Sequence, residues 1–422
     1  MRKLTAVVIG YGSRGSKYAN YACEHPDELE IVAVADLSTN RRKTAGELHN
    51  LSEEQLFHDW KEIALLPKMA DIAIIATQDN LHYKPALAMI EKGYHLLLEK
   101  PMAPTPQECK KITLAAEKKG VKVIVCHVLR FTKFWSTLKD ILDDATIGDI
   151  MSVIHTEEVG NLHQSHSFVR GHWRNSKEST PMIVAKSCHD MDLLQWLIGK
   201  QCKQIQSFGS LTHFTLANKP EGAPHYCSDT CPIAETCFYN AIKFYYDDKE
   251  NHWRRVVTNT LVQPSDEELL AALQSGPYGR CVYDCDNDVV DHQIVNMEFE
   301  DGCTVSFTMN AFNKGNRNIH IFGTKGELTA DMENGLIKIF SFATRESSEI
   351  DVGKLGVTIA SGHGGGDTGI MEDLIKYLNG DNSSKSICDV HTSYMNHLLA
   401  FAAEEARIKN SIINIDNYAD NL

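Results

Sequence analysis

The run Leu4-Thr-Ala-Val-Val-Ile-Gly-Tyr-Gly-Ser-Arg-Gly15 constrains this chain more than any other stretch. Ala6 to Ile9 is a short apolar run of strand length. Gly10, Gly12 and Gly15 follow in G-x-G-x-x-G spacing, and Ser16 to Cys23 reads as a helix that stops near Pro26. Each glycine answers a geometric need. Gly10 permits a tight turn, Gly12 lets a pyrophosphate come close, and Gly15 lets the helix pack on the strand. The helix N-terminus offers free N–H groups and a partial positive charge to phosphates. A second apolar run, Ile31 to Ala35, ends in Asp36, about where the ribose-binding acid of a dinucleotide fold belongs. Its carboxylate accepts hydrogen bonds from ribose hydroxyls and repels a 2'-phosphate, which favours NAD over NADP, with Arg41 and Arg42 as the counter-signal for a phosphate.

The strand–helix alternation continues to about residue 127. Strands are expected at Ile72 to Ala76, His95 to Leu98 and Val121 to Cys126, and helices at Asn40 to His49, Lys84 to Lys92 and Pro106 to Lys119. This is the pattern of an α/β, doubly wound parallel sheet, whose ligands sit at the carboxyl ends of its strands. Three loops then face a cofactor: Gly10 to Gly15, with Tyr11, Ser13 and Arg14; Thr77 to His82, with Gln78; and Glu99-Lys100-Pro101. From residue 128 onward the strand-like runs lengthen and alternate, at Val289 to Glu298, Cys303 to Ala311 and Asn318 to Gly323. These predict an α/β domain on a large, mostly antiparallel sheet spanning 128–422. Residues 217–287 read as a cysteine-rich insertion, and 389–409 as a long helix with Tyr394, Leu398, Phe401, Ala402 and Ile408 on one stripe.

A net charge of −14 without a basic tract argues against nucleic acid and anionic membranes as partners. No apolar run reaches the ~20 residues of a membrane span. The first strand begins close to Met1, so a secretory leader is not expected and the chain reads as cytoplasmic. Twelve cysteines in such a chain point to thiols or metal ligands before disulfides.

Gly10 to Gly15, Asp36, Glu99-Lys100-Pro101 and Lys186-Ser-Cys-His189-Asp-Met-Asp192 together resemble the Gfo/Idh/MocA oxidoreductase family, named after glucose–fructose oxidoreductase, inositol dehydrogenase and a rhizopine catabolism protein. The resemblance runs through essentially the whole chain. It implies a Rossmann domain followed by an open-sheet domain, a nicotinamide cofactor, sugar or polyol substrates, and association of subunits through the open sheet face. In relatives the bond equivalent to Lys100–Pro101 is often cis.

Elementary chemistry agrees. Oxidising a secondary alcohol needs a base for the hydroxyl proton as hydride leaves the carbon. A lysine, ordinarily at pKa ~10.4, becomes such a base when buried beside a cationic nicotinamide ring. Lys100, at a strand end, is the candidate. His189 is the second proton carrier. If a helix begins near Ser187, Lys186, His189 and Asp192 share a face of its first turns, and Gly199 ends it. Many family members carry an Asp four residues before this His; here the position is Ala185, with Lys186 next to it. The catalytic set is therefore read as Lys100, Lys186 and His189.

Substrate contacts are expected from the polar and aromatic run containing His163, His166, Arg170, Trp173 and Arg174, and from Arg130, Asp288 and His292. Gly362 to Asp367 reads as a loop over the site, with His363 and Asp367 as further candidates. Cys227, Cys231, Cys237 and Cys281, with Cys285 as an alternative, suggest a structural zinc that orders the insertion. The expected activity is NAD-dependent oxidation or reduction of a sugar, sugar derivative or cyclitol by a homo-oligomer. The alternative is a redox-neutral glycoside cleavage through a 3-keto sugar. The other rival is a nicotinamide-sensing protein without turnover, against which the intact Lys100 and His189 argue.

Overall fold

The computed structural model describes residues 1–353 and 362–422. The first sheet is built from β1 (Leu4–Ile9), β2 (Leu29–Ala35), β3 (Leu56–Phe57), β4 (Ile72–Ile75), β5 (His95–Leu98) and β6 (Val123–Val125). Its order is β3-β2-β1-β4-β5-β6 and every pairing is parallel. All four residues of β4 are buried, as a strand covered by helices on both faces must be. The connecting helices carry their own start and stop signals. In Pro106–Lys119 the Thr105 side chain accepts from Glu108 N, proline opens the first turn, and Gly120 closes the helix in the left-handed conformation. The two-residue β3 was not expected from the sequence; it is too short for an alternation signal.

The second sheet has nine strands: β7 (Ile150–Glu158), β8 (Cys202–Ser210), β9 (His292–Phe299), β10 (Thr304–Asn310), β11 (Asn316–Gly323), β12 (Gly326–Asp331), β13 (Leu336–Ser341), β14 (Ser347–Asp351) and β15 (Ile413–Asn414). Their order is β14-β13-β12-β11-β7-β10-β9-β8-β15, and among the described residues only the β7–β10 pair is parallel. One face is covered. Val153, His155 and Glu157 of β7 point inward, and Trp135 of the helix Lys133–Asp143 packs edge-on against His155. The other face is open, and Met151, Ile154, Phe208 and Ile294 are exposed.

The helix Val390–Lys409 joins the two sheets, packing on β8, on Pro106–Lys119 and on the helix Cys188–Ile198. Tyr394, Leu398, Phe401 and Ala402 are buried as expected, but Ile408 is exposed and Ala406 takes the last core position. Between β8 and β9 the chain forms short helical turns and one longer helix, Asp266–Ser275, around a small core of Ala241, Tyr245, Leu269 and Leu273.

Candidate functional site

The glycine loop is shaped for a dinucleotide. Gly10 has φ +90°, and a Cβ there would lie 2.7 Å from the Ala76 carbonyl oxygen. A Cβ on Gly15 would overlap the Gly10 carbonyl, so helix and strand meet backbone to backbone. At Gly12 a Cβ would meet nothing nearer than Arg41 Nη1 at 3.6 Å, which leaves the phosphate side open. The helix Ser13–Glu24 starts there without a side-chain cap, with Ser13 exposed at its tip. Asp36 holds the loop from β2: its carboxylate accepts Tyr11 N at 2.7 Å and Ser38 N at 2.8 Å, with Arg41 Nη1 3.7 Å away. These residues fit an NAD: a bare helix N-terminus, an open glycine and a carboxylate at the ribose position.

Several neighbours serve the loops rather than the ligand. The Tyr11 side chain is buried with its hydroxyl 2.9 Å from His49 Nε2. Arg14 is tied to Glu99 at 2.6 Å, to Tyr18 and to Asp367. Glu99 is buried and also accepts Tyr18 OH and Lys100 N. Asp367 thereby becomes a brace of the glycine loop; the His363 side chain lies outside the described residues. His82 is buried with its ring nitrogens 2.8 Å from Pro101 O and 3.1 Å from Thr77 O. It joins the two loops that follow β4 and β5, whereas Gln78 is exposed and Thr77 half-buried at the strand end.

The Lys100–Pro101 peptide is cis. Lys100 Nζ donates to the Ala185 carbonyl at 2.9 Å and stands 5.7 Å from the centre of the Trp173 ring. Trp173 is held in turn by Asp79, which accepts its indole N–H at 2.8 Å and the Ser179 hydroxyl at 3.0 Å.

The expected single helical face is not formed. A short helix, Met182–Ala185, ends at Lys186, and a new one, Cys188–Ile198, begins after Ser187. Lys186 therefore turns to the sheet and pairs with Glu157 of β7 at 3.2 Å. Burial lowers the Lys186 pKa, Glu157 opposing that and Arg317 adding to it. Asp192 turns the other way, into a buried pair with Arg130 whose two bonds are both 2.7 Å, joined by Asn396. Arg130, expected as a substrate contact, is spent in this buried pair. His189 is nearly buried at the start of its helix, with the His127 ring edge-on at 6.2 Å.

Glu157 and Arg317 are opposite partners in the antiparallel register of β7 and β11. Arg317 bridges Glu157 at 2.5 Å and Asp190 at 2.9 Å, and Asp190 also meets His155 Nε2 at 2.9 Å. Burial works against the Asp190 charge, but Arg317 and His155 outweigh it and hold its pKa low. This network was missed in the sequence. Its signal is a charged residue at an inward position of an otherwise apolar alternation: Glu157 after Val153 and His155, and Arg317 before Ile319 and Ile321.

The run from His163 to Arg174 divides. His163 packs on Phe168 and Trp253 and is pushed well below the ordinary imidazole pKa by burial, then by Lys186, His166, Arg317 and Lys100. It therefore belongs with the lysines. His166 faces the insertion, stacked between Trp253 and Tyr278 with Nδ1 2.7 Å from Tyr245 OH. Arg170 is buried in the insertion. Arg174 is paired with Asp286 at 2.7 Å, and Asp288 accepts Ser176 N at 2.7 Å, so both pin a loop. His292 is bound to Asp291 and alternates with exposed Ile294 on the open sheet face, away from the lysines. His166, Arg170, Arg174, Asp288 and His292, expected as substrate contacts, each have a partner within a loop or lie on the far face of the sheet. The insertion also reaches the cofactor loop: Asn259 bonds Arg41, and Leu261 packs on the core of the first sheet.

Known proteins share this architecture. Residues 4–127 match the model of the Gfo/Idh/MocA oxidoreductase family's NAD-binding Rossmann fold, and 139–414 match its C-terminal alpha/beta domain. The Bacillus subtilis protein YteT is 26% identical over 82% of this chain and 82% of its own. The scyllo-inositol 2-dehydrogenase (NADP(+)) IolW of Bacillus subtilis is 28% identical, the match spanning 46% of this chain and about half, 51%, of that relative. A levoglucosan dehydrogenase solved with NADH and levoglucosan superposes with a TM-score of 0.70 at 18% identity, over 98% of this chain and 99% of that one.

Proposed function

This chain belongs to the Gfo/Idh/MocA oxidoreductase family, and from that premise we propose that it moves hydride between NAD and a carbon of a sugar, sugar derivative or cyclitol. The observation that carries the reading is the seat of Lys100. Its Nζ donates to the Ala185 carbonyl, next to Lys186 and four residues before His189, at the carboxyl ends of the parallel strands, and the free amine keeps its lone pair for a proton. NAD, when bound, supplies the hydride acceptor. Lys100 takes the hydroxyl proton of the substrate, and His189 is the second group able to hold it. Lys186, balanced by Glu157, orients a hydroxyl, while His163 and Trp173 form the sugar-facing wall. Gly10, Gly12, Gly15 and Asp36 hold the dinucleotide.

The test is a nicotinamide absorbance trace across sugars and cyclitols, run on the wild type and on Lys100→Met. NADH formed in step with a ketone or lactone by the wild type is expected. Loss of a general base should lower the Lys100→Met rate by about 10²- to 10⁴-fold with NAD binding retained. A variant with wild-type turnover contradicts the assignment.

A second reading is favoured by Lys186, which brings a buried amine and its Glu157 partner beside Ala185, the position where family members often carry an Asp. In it the oxidation is transient, a substituent is eliminated from the neighbouring carbon, and no NADH accumulates. Aglycone release from aryl glycosides without an absorbance change separates the two.

The same reading assigns residues 1–127 to the cofactor and 128–422 to the substrate and to subunit association, with 217–287 as an insertion. The twelve unpaired cysteines support a reducing, cytoplasmic setting. The exposed Met151, Ile154, Phe208 and Ile294 support self-association through the open sheet.

A further inference from the structure

We infer that Cys227, Cys231, Cys237 and Cys281 hold one zinc ion as thiolates, and that Arg170 is the buried counter-charge of that cluster. The four cysteines come from two stretches more than forty residues apart, yet they line one cavity of about 20 Å³ together with Pro224, Ile233 and Ala234. That is room for about one water or one ion. A buried water needs two to four polar partners, and this lining does not provide them. The polar side chains that border it are spent elsewhere: Asn240 on Ala234 O and Ile242 N, Tyr226 on Ser275 O, and Tyr283 on His213.

Two of the sulfurs already accept backbone N–H groups two residues on, Cys237 from Tyr239 and Cys281 from Tyr283. The loops carrying Cys227 and Cys281 are clipped together by the Tyr226–Arg280 bridge, with Cys227 N on Gly279 O and Cys281 N on His225 O. The cluster is therefore built on fixed backbone. Cys285 is not in the lining; its thiol donates to Cys281 O at 3.2 Å.

Arg170 provides the independent observation. It is fully buried, and its guanidinium donates to Arg280 O, Tyr239 O and Cys227 Sγ, with Nη1 lacking a hydrogen-bond partner. Among the described residues it makes no ion pair with a carboxylate. The sulfur it touches is Cys227 Sγ, 3.7 Å from Nη2. A buried charge left unbalanced is costly. Four thiolates on one Zn²⁺ carry a net charge of −2, which Arg170 half offsets. Forming the site releases the four thiol protons to water and changes no oxidation state. No three of these sulfurs lie within 4.8 Å of one another, so binding an ion would have to draw them inward. Among the described residues, only His127, Asp192 and Cys388 have ligand atoms mutually within 4.8 Å, and there Arg130 and Asn396 already occupy Asp192.

Four protein ligands leave no open position, so the ion is structural. Its consequence reaches the substrate wall, because Arg170 closes the helical segment Gln164–Arg170 that follows His163.

The experiment is elemental analysis of the purified full chain, with cobalt exchange as a second readout. About one zinc per chain is expected, and Co²⁺ exchanged into it should give the ligand-field and thiolate charge-transfer bands of a tetrahedral sulfur site. Cys237→Ser should abolish both. Arg170→Gln should keep the ion but lose it to a chelator about 10- to 100-fold faster, the scale of an outer-shell defect. A folded, metal-free wild type whose four thiols all react with a disulfide reagent overturns the inference. So does iron with acid-labile sulfide in place of zinc, or a zinc content unchanged in Cys237→Ser.

Discussion

Single residues divide here into those whose neighbours in sequence fix their role and those whose neighbours in space do. Asp36 is of the first kind. It follows β2 and accepts one backbone N–H of the cofactor loop, that of Tyr11, and that of Ser38, and hydrogen bonds to a charged group are worth about 1.5–3 kcal/mol each. Asp36→Ala should weaken NAD binding by at least about tenfold, measured by fluorescence titration, with NADP affected less. Lys186, Glu157 and Arg317 are of the second kind. Glu157 and Arg317 meet because β7 and β11 pair in one register, a relation between residues 160 positions apart that local patterning does not encode. The expectation of Lys186 on the His189 helix fails for a local reason: the backbone breaks at Lys186 and Ser187.

Buried histidines set the acid stability at this scale. Burial lowers His127 and His166 to about 3 and His397 to about 4. Each stays neutral in the fold while its unfolded form takes a proton below about 6.5. The stability they confer is complete above that value and is lost as pH falls toward 3 to 4, by up to about 1.4 kcal/mol per pH unit for each histidine. Thermal unfolding followed from pH 7 to 4 should show a falling midpoint, with a shallower slope in His166→Gln. A pH-independent midpoint would contradict this.

At the scale of elements, the glycine loop was legible because strand, turn and helix are contiguous and each glycine answers a steric demand. Gly15→Ala places a methyl on the Gly10 carbonyl, so the helix Ser13–Glu24 must move away from β1. NAD binding should be lost while the second sheet remains folded, a difference that calorimetry with and without NAD would reveal. The long strands and the helix Val390–Lys409 were legible from periodicity. The insertion was legible only as irregular sequence. Its cysteines suggested a metal, but its reach to Arg41 through Asn259 and to His163 through Trp253 depends on packing. The partners of Arg170, His166 and Arg174 in the insertion were not legible for the same reason: composition marks a polar segment without saying which side of it faces which neighbour.

For the whole molecule, the helix Val390–Lys409 and the Arg130–Asp192 pair fasten the first sheet to the second, so the loops after β4 and β5 face Lys186 and His189 across a fixed junction. The Met102 amide bound to His397 Nε2 adds a tie beside Lys100 itself. The open sheet face lies opposite this junction, and its exposed apolar residues should carry subunit association. Phe208→Glu combined with Ile154→Glu should reduce the mass in sedimentation without altering NAD binding, whereas an unchanged mass would place association elsewhere.

The measurement closest to the central claim uses a substrate deuterated at the carbon that loses hydrogen, drawn from the sugars or cyclitols that give turnover. Deuterium recovered at C4 of accumulated NADH, one per ketone or lactone formed, is the predicted result. Deuterium released to water, or retained in a cleaved product with no labelled NADH, would contradict net hydride transfer from substrate to NAD.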